Sequence, residues 1–115
     1  MTNISFEFFP PKTVTAAFAL QRTAETLAGF VPQFSSVTCS RAPIKTLDTL
    51  AAMNKSGLGP LQAHITCVAQ TRDDLAAYLD AAKQAGAKGI VALRGDATAA
   101  ACCVRPDPNC TFTKL

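Results

Sequence analysis

At 115 residues, 49% of them hydrophobic and 17% charged, the chain is long enough for one domain with a real core and too apolar to stay disordered. Its formal charge of +3 comes from scattered Lys and Arg with no basic run, which argues against nucleic acid as the main partner. No window reaches the length of a membrane span and no apolar stretch follows a positive start, so the expectation is a cytoplasmic protein without a membrane partner. Five cysteines, an odd number that includes adjacent Cys102 and Cys103, fit reduced thiols better than a disulfide framework.

The first element is a strand over Ser5-Phe6-Glu7-Phe8-Phe9, stopped by Pro10-Pro11, which cannot continue a hydrogen-bonded ladder. Glu7 stands near its C-terminal end among three phenylalanines, and a carboxyl in apolar surroundings is a candidate general acid. Thr13 can cap a helix with Ala17, Leu20, Ala24 and Leu27 at helical spacing and Gly29 at its end. Phe34-Ser35-Ser36-Val37-Thr38 reads as the second strand, and Leu47, Leu50, Ala51 and Met53 mark a second helix entered near Thr46 and closed by Gly57. In the third strand, Leu61, Ala63, Ile65 and Cys67 share one face while Gln62, His64 and Thr66 share the other. Thr71-Arg72-Asp73-Asp74 has the form of a capping box, and Leu75, Leu79 and Ala82 give the third helix its stripe before Gly86. Gly89-Ile90-Val91-Ala92-Leu93 is a fourth strand, apolar throughout as parallel strands buried on both faces are, and it runs into Arg94-Gly95-Asp96.

Strands alternating with helices predict a parallel sheet with right-handed crossovers. A doubly wound sheet wants apolar residues on both faces, whereas a barrel can turn polar side chains inward near its mouth, and the polar side of the third strand favours the barrel. The expected fold is α/β, with four strands and three main helices forming about half of a TIM (β/α)8 barrel, since a full barrel takes roughly 250 residues. An open flavodoxin-type sheet binding a phosphorylated ligand is the weaker alternative.

In either architecture ligands bind at the C-terminal strand ends. One polar group per strand falls there: Glu7, Thr38, His64 and the Arg94-Gly95-Asp96 turn. No glycine-rich phosphate fingerprint follows any strand, and Cys102, Cys103 and Cys110 lack a zinc spacing and a fourth ligand, so no metal is expected.

These same segments carry a family likeness. Ser5-Phe6-Glu7-Phe8-Phe9-Pro10-Pro11-Lys12-Thr13, Ser36-Val37-Thr38, Thr46-Leu47-Asp48-Thr49-Leu50, Ala63-His64-Ile65-Thr66-Cys67-Val68 and Ala92-Leu93-Arg94-Gly95-Asp96 resemble successive motifs of methylenetetrahydrofolate reductase, in order and with close to the family's spacing. The resemblance covers residues 3 to 96, the first half of the family's catalytic barrel. It implies Glu7 as the catalytic acid, which protonates the bridging folate nitrogen and opens the methylene group to an iminium ion. It implies Thr38, His64, Arg94, Gly95 and Asp96 as residues that hold FAD, with Asp96 also facing the folate and assisting catalysis. The implied reaction passes hydride from NADH or NADPH through FAD to 5,10-methylenetetrahydrofolate, giving 5-methyltetrahydrofolate for methionine biosynthesis.

Two features depart from the family pattern. The stretch Cys39-Ser40-Arg41-Ala42-Pro43-Ile44-Lys45 is shorter than the family's loop and has no glycine, and residues 97–115 show no family motif. The expected organisation is a barrel half over 1–96 followed by a divergent tail over 97–115, as in a truncated reading frame. A four-strand half has unpaired edges, so a homo-oligomer or a complementing C-terminal half is the expected partner. The alternative function is a catalytically inactive half-barrel or interaction module.

Overall fold

The computed structural model describes residues 3–39, 43–68 and 70–95. Seven elements alternate along them: β1 (Ser5–Phe8), α1 (Val14–Ala28), β2 (Phe34–Val37), α2 (Pro43–Met53), β3 (Leu61–Thr66), α3 (Arg72–Ala85) and β4 (Gly89–Leu93). The strands form one sheet in the order β1-β2-β3-β4, with every neighbouring pair parallel. A flavodoxin-type sheet would place its second strand outside its first, so the monotonic order discards that alternative and matches part of a (β/α)8 barrel.

Register decides which side chains share a face. Phe8 pairs with Val37 and Val37 with Ala63, so these three point the same way. They join Leu61 and Ile65 in the core, which the helices complete with Ala24 from α1, Leu50 and Met53 from α2, and Tyr78 and Ala82 from α3. The other face carries Glu7, Ser36, Gln62 and His64, with Glu7 opposite Ser36 and Ser36 opposite Gln62. One face is therefore apolar and helix-covered while the other is largely polar. That asymmetry is the one expected of a barrel wall.

The helix boundaries follow local chemistry. Thr13 caps α1, its hydroxyl accepting from the Ala16 amide at 3.0 Å. At the start of α3, Thr71 and Asp74 form the reciprocal capping box, the Asp74 amide donating to the Thr71 hydroxyl at 3.1 Å and the Thr71 amide to the Asp74 carboxylate at 3.0 Å. The hydrogen bond from the Thr71 backbone holds the Asp74 carboxyl below its usual range. Gly86 ends α3 at φ 103°, a left-handed conformation in which an added Cβ would also run into the Asn54 side chain.

Three sequence expectations need correction. Helix α2 begins at Pro43, so Thr46 lies inside its first turns instead of at its entrance. Pro is at home in a first helical turn because its missing amide has no partner there to lose. The buried stripe of α3 includes Tyr78 and Ala82, with Leu75 packed beside them, whereas Leu79 is 43% exposed. Strand β4 is not buried on both faces among the described residues: Ile90 is 38% and Leu93 42% exposed, because β4 is an edge of the sheet. Asp96 and the expected tail over 97–115 lie outside the described residues.

No helix of the described residues is long and apolar enough to cross a membrane. Within α2, Leu50 is fully buried while its neighbour Ala51, placed on the same stripe by spacing alone, is exposed. Leu50→Ala should therefore lower unfolding free energy by about 3 kcal/mol, and Ala51→Ser by under about 0.5 kcal/mol, in urea denaturation. Comparable losses from the two substitutions would show that α2 docks by a different face.

Candidate active site

Because all four strands point the same way, their C-terminal ends lie along one rim. Register parity then places Glu7 of β1 and His64 of β3 on the same polar face, separated by β2. Their side chains meet across that strand, with Glu7 Oε1 3.4 Å from His64 Nε2. Ser36 stands opposite Glu7 on the intervening strand, and His64 lies two residues beyond its other neighbour, Gln62. The partners differ in environment: the His64 side chain is 8% exposed and the Glu7 side chain 53%.

That exposure corrects the expected apolar surroundings of Glu7. Sequence neighbours on a strand point to opposite faces, so Phe6 and Phe8 turn away from Glu7 and pack with each other, ring centroids 6.4 Å apart. Phe9 lies beyond the strand and is exposed. The carboxyl sits at a solvent-open rim against one imidazole instead of among aromatic rings.

Several bonds fix the rim. Thr38 follows β2, its amide donating to the Phe8 carbonyl at 2.9 Å and its own carbonyl accepting the Thr46 hydroxyl at 2.8 Å. The registered pairing of β2 with β3 runs from Ser35 and Leu61 to Val37 and Ala63, whereas β3 stays paired with β4 as far as Thr66 and Leu93. Beyond Ala63, a side-chain contact links the segment after β2 to β3, and another ties β3 to α3. Cys39 Sγ lies 3.6 Å from Thr66 Oγ1, and the buried Tyr78 hydroxyl donates to the His64 carbonyl at 2.8 Å. Past β3, Gln70 donates to the Thr66 carbonyl at 2.6 Å.

The β4 end closes onto the same loop. The Val68 amide donates to the Arg94 carbonyl at 2.9 Å, and Gly95 adopts φ 88°. A Cβ on Gly95 would come within 2.7 Å of Val68 Cγ1 and 3.1 Å of Thr66 Cβ, so glycine lets the turn after β4 pack against the turn after β3. Arg94 is exposed beside it. Asp96 lies outside the described residues, so Glu7, Thr38, His64, Arg94 and Gly95 are the sequence candidates whose positions the structure gives. Glu7 and His64 are in contact; Thr38, Arg94 and Gly95 mark the ends of β2 and β4 on the same rim.

Elsewhere, a groove of about 240 Å³ between α1 and α2 is lined by Val14, Phe18, Leu20 and Met53 among others and contains no titratable group. It belongs to the helix side of the sheet and lacks the chemistry of the rim. Among the described residues no cluster of three or more His, Cys, Asp or Glu side chains could hold a metal. Sequence reading missed Tyr78 and Thr46, both of which hold rim carbonyls. A tyrosine at stripe spacing in α3 was the available signal for the first; nothing local distinguished Thr46 from a helix cap.

Comparison with known proteins bears on what this rim belongs to. The family model described as methylenetetrahydrofolate reductase matches residues 1–113. The chain is 34% identical over 97 residues to the 5,10-methylenetetrahydrofolate reductase of Salmonella typhimurium, covering 82% of this chain and 33% of that protein. It is 35% identical over 98 residues to the enzyme of that name from Escherichia coli, with 82% and 33% covered. It is 30% identical over 99 residues to "Methylenetetrahydrofolate reductase (NADH) 1" of Arabidopsis thaliana, with 83% and 17% covered. The chain belongs to the methylenetetrahydrofolate reductase family. It spans about a third of the length of the bacterial reductases it matches.

A flavin is the cofactor implied for a methylenetetrahydrofolate reductase, and the rim has a donor set that suits one. His64 brings an imidazole, Arg94 a guanidinium for an anionic group, and Thr38 and Thr66 hydroxyls able to donate or accept. These groups lie at the C-terminal strand ends, where ligands of parallel α/β proteins bind.

Burial pushes the Tyr78 phenol up to about 12, with the charge of a nearby Cys39 thiolate as a second cause. Because the folded value exceeds the unfolded value of 10.0, the stability tied to this proton is complete below pH 10.0 and lost as pH rises through about 12. Tyr78 is the single tyrosine and there is no tryptophan, so ultraviolet absorbance follows this phenol alone. The folded chain should ionise near 12 and the urea-unfolded chain near 10, and Tyr78→Phe should remove this component of alkaline destabilisation. Equal midpoints in both states would place the phenol in solvent.

Proposed function

We propose that this chain is the first half of a flavin-dependent reductase barrel that converts 5,10-methylenetetrahydrofolate to 5-methyltetrahydrofolate, with residues 1–96 as the barrel part and 97–115 as a separate tail. The observation that carries this reading is the contact of Glu7 with His64 at the C-terminal rim of a parallel sheet, in a chain of this family. FAD, when bound, supplies hydride transfer between NADH or NADPH and the folate; the name of the Arabidopsis relative specifies NADH.

The chain's own residues do the proton and positioning work. Glu7, half-exposed and therefore able to exchange protons with solvent, gives its proton to the bridging folate nitrogen, and the five-membered ring opens to a cationic iminium. His64, buried and 3.4 Å away, orients the carboxyl. Thr38, His64, Arg94, Gly95 and Asp96 hold the cofactor. Asp96 supplies negative charge that stabilises the iminium.

Four strands leave β1 and β4 as edges among the described residues, and an eight-stranded barrel needs four more. Where another chain supplies them, it is a second copy or one carrying the complementary βα units, and the assembly works in the cytoplasm. The stretch Cys39 to Lys45, which carries no glycine to let backbone approach a cofactor, favours a second reading, a half-barrel without activity of its own.

Both readings meet one experiment on the chain with and without a complementary half. A flavin absorption band bleached by NADH and restored by methylenetetrahydrofolate supports the reductase; protein that stays colourless at every FAD concentration supports the inactive half-barrel. Glu7→Gln should leave bleaching by NADH within about twofold and slow reoxidation by folate by about 100-fold or more. Equal loss in both half-reactions would remove Glu7 as the acid.

A further inference from the structure

We infer that Tyr78 is a positioning residue for the pair formed by Glu7 and His64, its hydroxyl anchoring the His64 backbone from the helix side so that the imidazole stays against the first-strand carboxylate. As a statement about catalysis this rests on the reductase reading; as a statement about coupling between three side chains it does not.

The geometry begins with His64. Its ring belongs to the polar face and its main chain to a strand whose registered pairing with β2 stops at Ala63, one residue earlier. On the opposite face Tyr78, 7% exposed, rises from α3 and donates to the His64 carbonyl at 2.8 Å. A carbonyl has two lone pairs, so this bond adds to whatever the ladder supplies. It ties the residue to a helix held at its start by the capping box of Thr71 and Asp74 and along its length by Ala82 in the core. Backbone and ring are therefore held from opposite faces, by Tyr78 on one and Glu7 on the other.

The tie is directional. The Tyr78 hydroxyl can serve this carbonyl only as a donor, and its upward-shifted ionisation keeps the proton in place throughout the neutral range. Glu7 at Nε2 is the charged group that faces the imidazole, while Cys39 is the titratable group near the phenol. A small rotation of the His64 backbone would swing the ring, and a contact of 3.4 Å, already longer than a usual N–H···O hydrogen bond, is easily lost.

The chain has a single histidine and a single tyrosine, so both ends of the coupling can be read without assignment ambiguity. The test is a mutant cycle on the nitrogen-15 resonance of His64 Nε2 in the full chain, with no flavin or folate present. Glu7→Gln should displace that resonance. In a Tyr78→Phe background the displacement should fall to roughly half or less, because residues that act together depart from additivity. Ser35→Ala is the matched control: it too removes a buried hydroxyl bonded to a backbone carbonyl, Leu58 at 2.9 Å, but at the other end of β2, and it should leave the displacement intact.

Full displacement in the Tyr78→Phe background, or an equal reduction in Ser35→Ala, would overturn the positioning role. No displacement by Glu7→Gln in the parent chain would overturn it as well, since there would be no contact to position. If Tyr78→Phe unfolds the chain, 3-fluorotyrosine at position 78 keeps the hydroxyl and reads the coupling from its other end. Its fluorine resonance should move on Glu7→Gln, and a static resonance would refute the coupling. Failure of the reductase reading would appear only in the flavin and folate assays and leave this cycle unchanged.

Discussion

The constraint on which the site depends is register parity across three parallel strands. Glu7 stands opposite Ser36 and Ser36 opposite Gln62, so Glu7 falls on the face of β3 that carries His64. Sliding β1 by a single residue would send Glu7 to the helix side and bring a phenylalanine to the polar face. The burial of Phe8 and Val37 against the helices prevents that slip. The apolar core thus does more than stabilise the sheet: by holding Phe8 in place it aims the residue before it at a histidine two strands away.

The two faces of the sheet make different demands on sequence, and both are met by small residues at crowded points. On the polar face the buried Ser36 separates Glu7 of β1 from Gln62 of β3. On the helix face Ala24, Ala63 and Ala82 are fully buried, which lets helices approach the sheet closely. At the rim Gly95 allows the turns after β3 and β4 to touch. A larger side chain at the buried alanines would have to displace neighbours in a packed interior, at a cost of about 1–3 kcal/mol.

Much of this was legible in the sequence because it is local or strictly periodic. The alternation in Leu61-Gln62-Ala63-His64-Ile65-Thr66-Cys67 gave both faces of β3, and the Thr71-to-Asp74 spacing gave the start of α3. Parallel order followed from strands separated by helices. The common rim of strand ends was legible too, but which side chains and backbone atoms meet across elements was not. Glu7 is flanked by phenylalanines in the chain but not in space, because neighbours on a strand point to opposite faces. Thr46 has the pattern of a helix entrance, but its hydroxyl partner, the Thr38 carbonyl, is supplied by a different segment. Tyr78 escaped notice for the same reason: its role is a bond to a backbone atom, and backbone atoms carry no sequence signal.

The unequal exposure of the central pair has a mechanistic consequence. A general acid that turns over must regain its proton, and an acid sealed in an apolar pocket regains it slowly unless a relay is built beside it. Here the carboxyl is open to water while its partner is not, so in the proposed role Glu7 recharges from solvent and His64 is spared that task. The buried imidazole is then best understood as the fixed element and the carboxyl as the mobile one. Such a division places the demand for rigidity on β3, and rigidity is what the pairing with β4, the Gln70 bond to the Thr66 carbonyl and the Tyr78 bond to the His64 carbonyl provide. The first strand needs only correct register, which its buried phenylalanine secures.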